Sequence, residues 1–329
     1  MRMRPLIHRS SFWGFLALLA TTTSHAGAFP NTKAASPFAF ALIGDTPYNV
    51  PVGSVYAPFD RMVAAINSDP QIGFVLHAGD IKSGSELCSD TLFGDRLARL
   101  QQFSDALIYT PGDNEWTDCH RANNGAYAPL ERLAKLRTLF YSTPGQTLGQ
   151  NPVILDSQAA DGYPENLRWI QHGVVFATLH VVGSQNGLAP FASRTAADDA
   201  EVAARSAATL AWMHAAFDLA EQTGAPGVFL TMQANPGLEF ILGGVDRTGF
   251  EALLAQLEQR VIAYGKPVVL AHGDSHYFRI DTPRLVQQPF LPNFTRVETY
   301  GAANVHWIRV TVDPKSDAVF SFRQEIVAP

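Results

Sequence analysis

Short runs of β-branched and aromatic residues alternate along the chain with segments that carry apolar residues at helical spacing. This order is typical of β-α-β units, in which helices connect parallel strands, and it argues against an all-β protein. The segments predicted as strands are residues 38–43, 74–77, 106–109, 174–182, 228–232 and 268–271. We therefore expect an α/β fold.

Two long helices are predicted between the last three of these strands. In the first, Met213, Phe217 and Ala220 share one face, and Gly224 ends the helix. The second carries an apolar stripe over residues 250–261, with a glycine and a proline following as a stop signal. Shorter helices are predicted over residues 60–68, 90–103 and 130–140.

The C-terminal part has a different pattern. Residues 304–312 and 318–325 read as two strands joined by a turn that contains Pro314, with no helix between them, so a second sheet containing antiparallel strands is expected. Residues 143–168 are rich in Gly, Pro, Asn and Gln, which predicts a long loop or hairpin excursion. One domain over residues 29–329 is the simplest organisation.

The N-terminus has the features of a secretory signal peptide. Three arginines precede an apolar run over residues 12–20, and the small residues Ala26, Gly27 and Ala28 follow. Residues 1–28 are therefore predicted to be removed, with cleavage after Ala26 or Ala28. No later run reaches the roughly 18 apolar residues of a membrane span. We expect an exported protein, periplasmic or secreted.

Charge excludes two classes of partner. The chain has 24 basic and 30 acidic residues, and removal of the three arginines within residues 1–28 leaves 21 against 30, a net charge of -9. An acidic chain without a Lys/Arg-rich run offers no general surface for nucleic acid or anionic membranes. A small-molecule partner is therefore expected.

Cys88 and Cys119 are the two cysteines of the chain. Export places them in an oxidising compartment, where an even number of cysteines favours a bridge. Both follow Gly-Asp motifs in loops that leave neighbouring predicted strands, so a disulfide close to the site is expected. The alternative is a pair of unrelated buried thiols.

Four of the predicted strands are followed by the same dipeptide. The copies are Gly44-Asp45, Gly79-Asp80, Gly112-Asp113 and Gly273-Asp274, whereas Gly94-Asp95 follows no strand and is discounted. The carboxyl ends of parallel strands line one crevice, so four carboxylates are expected to share a small volume. Crowded anions repel unless cations neutralise them, which favours a metal site. The alternative is that these are ordinary turn or helix-capping residues.

These motifs resemble the ordered blocks of calcineurin-like metallophosphoesterases. The matching segments are Gly44-Asp45-Thr46-Pro47, Gly79-Asp80-Ile81-Lys82, Gly112-Asp113-Asn114-Glu115 and Gly273-Asp274-Ser275-His276. The resemblance implies a two-sheet β-sandwich flanked by helices, a four-layer α/β/β/α architecture. It also implies a dinuclear metal centre that activates water to hydrolyse phosphate mono- or diesters, and hence a small phosphorylated substrate.

The chain departs from the family mainly at histidines. By resemblance, Pro47 stands at the position of an imidazole ligand of the first metal, and Gln233 stands at the position of a histidine of the middle block. By resemblance, one ion would take Asp45, Asp80 and His276, and the other Asp80, Asp113, Gln233 and Asp274. Carboxylate and amide oxygens shift the preference from zinc or iron toward Mn²⁺, Mg²⁺ or Ca²⁺, as one or two ions.

Asn114 occupies the position of the family's leaving-group histidine, and an amide cannot deliver a proton at neutral pH. His120 is the candidate replacement, and a surface loop histidine is the alternative interpretation. Candidate substrate contacts are Tyr48, Arg121, Asn186, Tyr277 and Arg279, of which the two arginines suit a phosphate group or, alternatively, a surface ion pair.

Two other functions fit parts of the sequence. A non-catalytic protein could use the same carboxylate crevice to bind Ca²⁺, or an anion through a metal; the missing leaving-group histidine favours it and the retained ligand order opposes it. A serine esterase is suggested by Gly273-Asp274-Ser275, but such nucleophiles lie near the mature N-terminus, where this chain has Thr46 after its early Gly-Asp.

Overall fold

The protein is described from a computed structural model that covers residues 36–239 and 246–328. The predicted signal peptide over residues 1–28 lies outside these ranges. Within them, no helix combines the length and the apolar character needed to cross a membrane.

The strands follow one another along the chain with bounds close to the predicted ones in the N-terminal half. They are β1 (Phe38–Ile43), β2 (Ile72–His77), β3 (Leu107–Tyr109), β4 (Asp156–Gln158), β5 (Tyr163–Gln171), β6 (Val174–Thr178), β7 (Val228–Thr231), β8 (Val268–His272), β9 (Arg279–Asp281), β10 (Phe294–Glu298), β11 (Trp307–Val312) and β12 (Phe320–Glu325).

The helices lie between these strands. They are α1 (Ala57–Asn67), α2 (Asp90–Leu100), α3 (Pro129–Phe140), α4 (Gly183–Asn186), α5 (Ala196–Thr223) and α6 (Glu251–Tyr264). Helix α5 begins with a capping box, in which the Thr195 and Asp198 side chains bond each other's backbone N–H, and it ends at left-handed Gly224. Segment α4 is a single turn whose dihedral angles at Ser184 and Gln185 are left-handed.

The strands form two mixed sheets. The first has the order β12-β11-β1-β2-β3, and the second has the order β4-β5-β6-β7-β8-β10-β9. Strands β1, β2 and β3 are parallel to one another, as are β6, β7, β8 and β10. Each sheet therefore gathers the carboxyl ends of its central strands at one edge.

Side chains on alternate positions of each strand divide between two sides of its sheet. Phe40 and Phe74 of the first sheet stack with ring centroids 4.6 Å apart, and Phe229 of the second sheet meets Phe40 edge-on at 5.1 Å. The opposite face of the first sheet packs on α1, α2 and α3, and that of the second on α5 and α6. The expected four-layer α/β/β/α sandwich is thus confirmed.

Three sequence predictions of secondary structure need correction. The C-terminal hairpin β11-β12 pairs with β1 and so extends the first sheet instead of belonging to a separate one. Strand β6 ends at Thr178, short of the predicted residue 182. Strands β9 and β10 were not predicted, because prolines punctuate residues 283–292 and hide the strand pattern.

Strand β5 was also missed, because its pattern is more polar than that of a typical buried strand. Glu165 and Asn166 within it are both fully buried. The Glu165 carboxylate bonds the His180 ring at 2.7 Å and the Arg137 guanidinium at 3.0 Å. The Asn166 side-chain oxygen accepts the backbone N–H of His180. These partners offset the cost of burying polar groups, and they come from distant parts of the chain.

The structure joins Cys88 and Cys119 in a disulfide, as expected from the cysteine count. Both sulfur atoms are buried and lie within 3.6 Å of the Asn114 carbonyl oxygen. The bridge therefore ties the segment before α2 to the turn after Asp113, next to one of the Gly-Asp motifs.

Replacement of both cysteines, Cys88→Ala with Cys119→Ala, should lower the free energy of unfolding by about 3–4 kcal/mol, since the bridge closes a loop of 31 residues in the unfolded chain. Denaturant unfolding of the oxidised protein and of the double variant measures the difference. Equal midpoints for the two proteins would contradict the expectation.

Candidate metal centre

The site lies where the carboxyl-terminal edges of the two sheets face each other. Asp45, Asp80 and Asp113 come from the ends of β1, β2 and β3, while Gln233 and Asp274 follow β7 and β8. Because the strands of each group are parallel, side chains far apart in sequence reach the same crevice. Asp45, Asp80 and Gln233 are almost completely buried there.

Asp80 is the most heavily hydrogen-bonded of these acids. Its Oδ2 accepts from the Tyr48 hydroxyl at 3.0 Å, from Asn114 Nδ2 at 2.8 Å and from Gln233 Nε2 at 3.2 Å. Its Oδ1 accepts one longer bond, at 3.3 Å, from the Asn114 backbone N–H. Oδ1 is consequently the oxygen of Asp80 with free acceptor capacity.

Asp45 is held by groups of the second sheet. Its Oδ1 accepts the Asp274 backbone N–H at 2.9 Å and faces His276 Nε2 at 3.4 Å, and its Oδ2 accepts the Thr299 hydroxyl at 3.1 Å. The His276 ring also meets the Tyr48 ring edge-on, with centroids 5.2 Å apart. Asp45 thereby fastens the two sheets together at the crevice.

Gln233 is placed in the centre but presents its donor side to the acids. Its Nε2 donates to Asp80 Oδ2 at 3.2 Å and to Asp113 Oδ1 at 3.1 Å, while its Oε1 accepts the Gly183 N–H at 2.7 Å. The oxygen expected to bind metal is thus turned away from the carboxylates. In this arrangement Gln233 spaces the two acids instead of acting as a ligand.

Asp113 leads outward to the mouth of the crevice. The Ser184 hydroxyl lies 3.0 Å from Asp113 Oδ2 and 2.7 Å from Asp118 Oδ1, and Asp118 in turn pairs with Arg121 at 2.7 Å. The Arg121 side chain is 43% exposed, so part of the guanidinium faces solvent. Ser184 and Asp118 were not predicted as site residues, because α4 and the turn at Thr117–His120 lack a sequence signal for this contact.

Three carboxylates are close enough to hold one ion together. Asp80, Asp113 and Asp274 each offer an oxygen, and these oxygens lie within 4.8 Å of one another. All donors are hard oxygen atoms, which suits Mg²⁺, Mn²⁺ or Ca²⁺ better than a soft-ligand metal. The cluster could therefore hold a divalent cation.

Burial and mutual repulsion raise the pKa of the central acids. The pKa of Asp80 lies well above 3.8, first because of burial and then because of the charges of Asp113 and Glu115. Burial, followed by the charge of Asp113, also raises the pKa of Asp274 far above 3.8, and burial raises that of Asp45. The ionised forms are stabilised when a cation enters.

Glu115, next to Asn114 in sequence, is a further buried acid of the centre that received no role in the sequence analysis. Its Oε1 accepts the Ile81 N–H at 2.8 Å and the Tyr109 hydroxyl at 2.9 Å, whereas its Oε2 has no hydrogen-bond partner in the described part of the chain. Burial raises the pKa of Glu115, which interacts with Asp80. Glu115 therefore adds a further acid to the charge around Asp80 that a cation would neutralise.

The backbone is left-handed at several of these positions. The φ angles are 54° at Asp45, 59° at Asp80, 80° at Asp274 and 60° at His276. Such angles are uncommon for residues with a side chain, although Asp tolerates them better than most, and they concentrate at functional sites. The turns after β1, β2 and β8 thus aim their carboxylates inward at a conformational cost.

The glycines of two motifs allow the carboxylate of another motif to lie close to the backbone. A Cβ on Gly112 would lie 2.0 Å from Asp80 Oδ1, and a Cβ on Gly273 would lie 2.2 Å from Asp45 Oδ2. Each of these glycines therefore makes room for the carboxylate of another motif. By contrast, Gly94 of the discounted fifth dipeptide lies inside α2, with nothing within 4 Å of the added atom.

Several predicted contacts lie elsewhere. The His120 ring bonds the Thr117 carbonyl at 2.8 Å and stacks on Phe191 at 4.3 Å, so it contacts none of the described acids of the centre. Asn186 is buried and bonds Arg205 at 2.6 Å, a packing role that replaces the predicted contact with substrate. Asn114, in contrast, lies in the crevice.

Tyr277 and Arg279, the predicted substrate contacts between β8 and β9, also have other partners. Arg279 pairs with Glu298 at 2.8 Å and lies over the Tyr277 ring, which is 66% exposed. Arg279 is thus engaged in an ion pair, as in the alternative interpretation, but its partner Glu298 is buried and the pair does not lie on the surface. Ser275 bonds Glu298 and Asn235, and within the described ranges no hydrogen bond joins its hydroxyl to a histidine, which argues against the serine esterase.

No protein-family model matches the chain, and no curated protein matches it. Among solved structures, it is similar to Phosphopantetheinyl Hydrolase (PptH) from Mycobacterium tuberculosis, with 13% sequence identity and a TM-score of 0.43, over 90% of this chain and 98% of that chain. A similarity at this level carries no argument about function, which depends on the site itself.

The buried acids Asp118 and Glu298 should each lower the stability of the metal-free protein as the pH rises from about 4 to about 7. Burial raises the pKa of Asp118 from 3.8 to about 7 and that of Glu298 from 4.5 to about 7. Between those values the unfolded chain has released protons that the folded chain retains, so rising pH favours unfolding. Melting temperatures in chelator across this range test the trend. Buried His77 and His272, whose pKa is lowered from 6.5 to about 4, act in the opposite direction in wild type and variant alike. The stability of the wild type relative to an Asp118→Asn/Glu298→Gln variant should therefore fall as the pH rises, and a difference that does not change with pH would contradict the expectation.

Gly112→Ala should weaken Mn²⁺ binding on the order of ten-fold or more, because the added methyl group displaces Asp80. Gly94→Ala is the matched control: it adds the same atom to the fifth Gly-Asp, inside α2, and should leave binding unchanged while stabilising by up to about 1 kcal/mol. Calorimetric titration measures affinity, and circular dichroism checks the fold. Wild-type affinity in Gly112→Ala would show that this contact does not position Asp80.

Proposed function

We propose that the protein is an exported, metal-dependent hydrolase of a small phosphate mono- or diester. The observation that carries this proposal is the convergence of Asp80, Asp113 and Asp274, from both sheets, on one volume. The order of the Gly-Asp blocks, which resembles that of calcineurin-like metallophosphoesterases, supports the same chemistry.

The charges around the centre favour a cation that the protein itself does not supply. Asp80 is hydrogen-bonded by a phenol and two amides, which satisfy its lone pairs without neutralising it. Lys82 is buried nearby, but its ammonium donates to the Asn114 and Ser83 carbonyl oxygens at 2.7 and 2.8 Å. The negative charge of the carboxylates is therefore available to attract a divalent ion.

When bound, such an ion supplies polarisation of the phosphoryl group and activation of water. Asp80, Asp113 and Asp274 would hold the ion, while Gln233 fixes the spacing of the first two acids. Arg121, oriented by its 2.7 Å pair with Asp118, presents a half-exposed guanidinium that suits bidentate contact with a phosphate. This geometry supports phosphate esters as the substrate class.

One observation favours the non-catalytic alternative. Asn114 Nδ2 is committed to Asp80 and Tyr48, and His120 is turned to Thr117 and Phe191. Neither side chain is placed to protonate a leaving group. Esters whose leaving group needs no proton, such as aryl phosphates, are therefore the most informative substrates.

The proposed location outside the cytoplasm is supported by the Cys88–Cys119 disulfide. Stable disulfides are a feature of oxidising compartments. Together with the signal-like pattern of residues 1–28, the bridge favours a periplasmic or secreted protein.

Purified mature protein should hydrolyse an aryl phosphate mono- or diester with Mn²⁺, lose the activity in chelator and regain it when Mn²⁺ is restored. Asp80→Asn should lower kcat/KM by at least about 100-fold, because it removes a central ligand charge. Asp161→Asn, on an exposed turn, is the matched control and should behave as wild type.

Absence of metal-dependent turnover on every ester tested, with Mn²⁺ binding retained, would favour the binding protein. Turnover that persists equally in chelator and in Asp80→Asn would overturn the proposed metal chemistry.

A further inference from the structure

The two ion positions implied by the family resemblance are not equally supported by this chain. At one of them, Asp80, Asp113 and Asp274 bring oxygens within 4.8 Å of one another. At the other, Asp45, Asp80 and His276 form no comparable group within residues 36–239 and 246–328. The difference arises from what already occupies Asp45 and Asp80.

Three protein groups and the Gly273 backbone surround the Asp45 carboxylate. Its Oδ1 takes the Asp274 N–H at 2.9 Å and faces His276 Nε2 at 3.4 Å, while its Oδ2 takes the Thr299 hydroxyl at 3.1 Å. The backbone of Gly273 packs against Oδ2, where an added Cβ would lie at 2.2 Å. The ring nitrogen that would bind an ion therefore points at Asp45 instead.

Asp80 is not free to bridge two ions. Its Oδ2 is surrounded by donors from Tyr48, Asn114 and Gln233, all within 3.2 Å, and a carboxylate oxygen has two lone-pair sites. A bridging carboxylate must keep acceptor capacity toward both ions. Asp80 retains it on Oδ1 alone, and because Oδ1 already accepts the Asn114 backbone N–H at 3.3 Å, one of its two lone-pair sites is left for an ion.

The sequence at the ion position of Asp45 and His276 agrees with this geometry. Pro47 stands where the resemblance expects an imidazole ligand, and its side chain has no donor atom. At the other position each altered residue except Gln233, whose oxygen bonds Gly183, still turns an oxygen toward the centre. The Asp80, Asp113 and Asp274 side therefore keeps three oxygen donors without Gln233, whereas the Asp45 side has lost the donor at residue 47.

We propose that the chain binds a single divalent ion, held by Asp80, Asp113 and Asp274, and that Asp45 with His276 and Thr299 is a positioning group in place of a second metal site. This inference rests on the proposed function and specifies its metal stoichiometry. Asp45 contributes by fixing the backbone N–H of Asp274, and so the direction of the Asp274 carboxylate.

The test is a Mn²⁺ titration of the metal-free mature protein, followed by calorimetry and by electron paramagnetic resonance. We expect one equivalent of Mn²⁺ and the spectrum of an isolated ion, also when Mn²⁺ is in excess. Asp274→Asn should weaken binding by about ten-fold or more. His276→Ala, whose side chain is 37% exposed and tolerates truncation better than buried Asp45, should keep one equivalent with affinity within a few-fold of wild type.

Two equivalents, or the spectrum of a magnetically coupled pair, would overturn the single-ion centre and leave the proposed hydrolase intact. Loss of all binding in His276→Ala, with the fold retained by circular dichroism, would overturn the assignment of His276 as a positioning residue. No Mn²⁺ binding by the wild-type chain would overturn the proposed metal dependence as well, so failures of the two proposals are distinguishable.

Discussion

Negative charge accumulates where the strand ends of the two sheets meet, and neutral donors hold it in place. Tyr48, Asn114 and Gln233 bond one oxygen of Asp80, and the backbone N–H of Asp274 bonds Asp45. Such donors satisfy lone pairs without cancelling charge, so repulsion among the buried acids persists. The crevice is therefore organised for a cation, and its other features follow from this requirement.

The architecture supplies the crowding that the site needs. Parallel β1, β2 and β3 deliver three acids to one edge, and β7 and β8 deliver Gln233 and Asp274 to the facing edge. Glycine at position 112 permits a carboxylate to lie where a methyl group would stand. Backbone strain at Asp45, Asp80 and Asp274 is tolerated because the surrounding strands fix both ends of each turn.

Much of this arrangement was predictable from the sequence, for a simple reason. A Gly-Asp dipeptide after a run of apolar strand residues places an acid at a strand end, and parallel strands place their ends together, so Asp45, Asp80, Asp113 and Asp274 could be grouped without coordinates. The pairing of Cys88 with Cys119 followed from their number and their expected compartment.

Side-chain direction was not predictable. The Gln233 amide turns its oxygen to Gly183 and its nitrogen to the acids, a choice decided by a backbone N–H fifty residues away. His120 follows Asp113 closely in sequence, yet a ring contact with Phe191 takes it away from the acids. Ser184 reaches Asp113 through a left-handed turn that no residue pattern announces. Such contacts depend on three-dimensional packing between segments and not on local propensity.

Hydrogen bonds between residues of the two sheets hold the sheets together at the crevice. The bonds run from the Asp274 N–H to Asp45 and from the Gln233 amide to Asp80 and Asp113, and they join the strand ends. The aromatic core between the sheets lies deeper. A cation that draws the same carboxylates together would strengthen this junction, and after its departure the buried acids would either take up protons or repel one another. Ion occupancy would then be transmitted to the opening motions of the strand termini, so amide exchange in the loops after β2 and β8 would report the state of the centre.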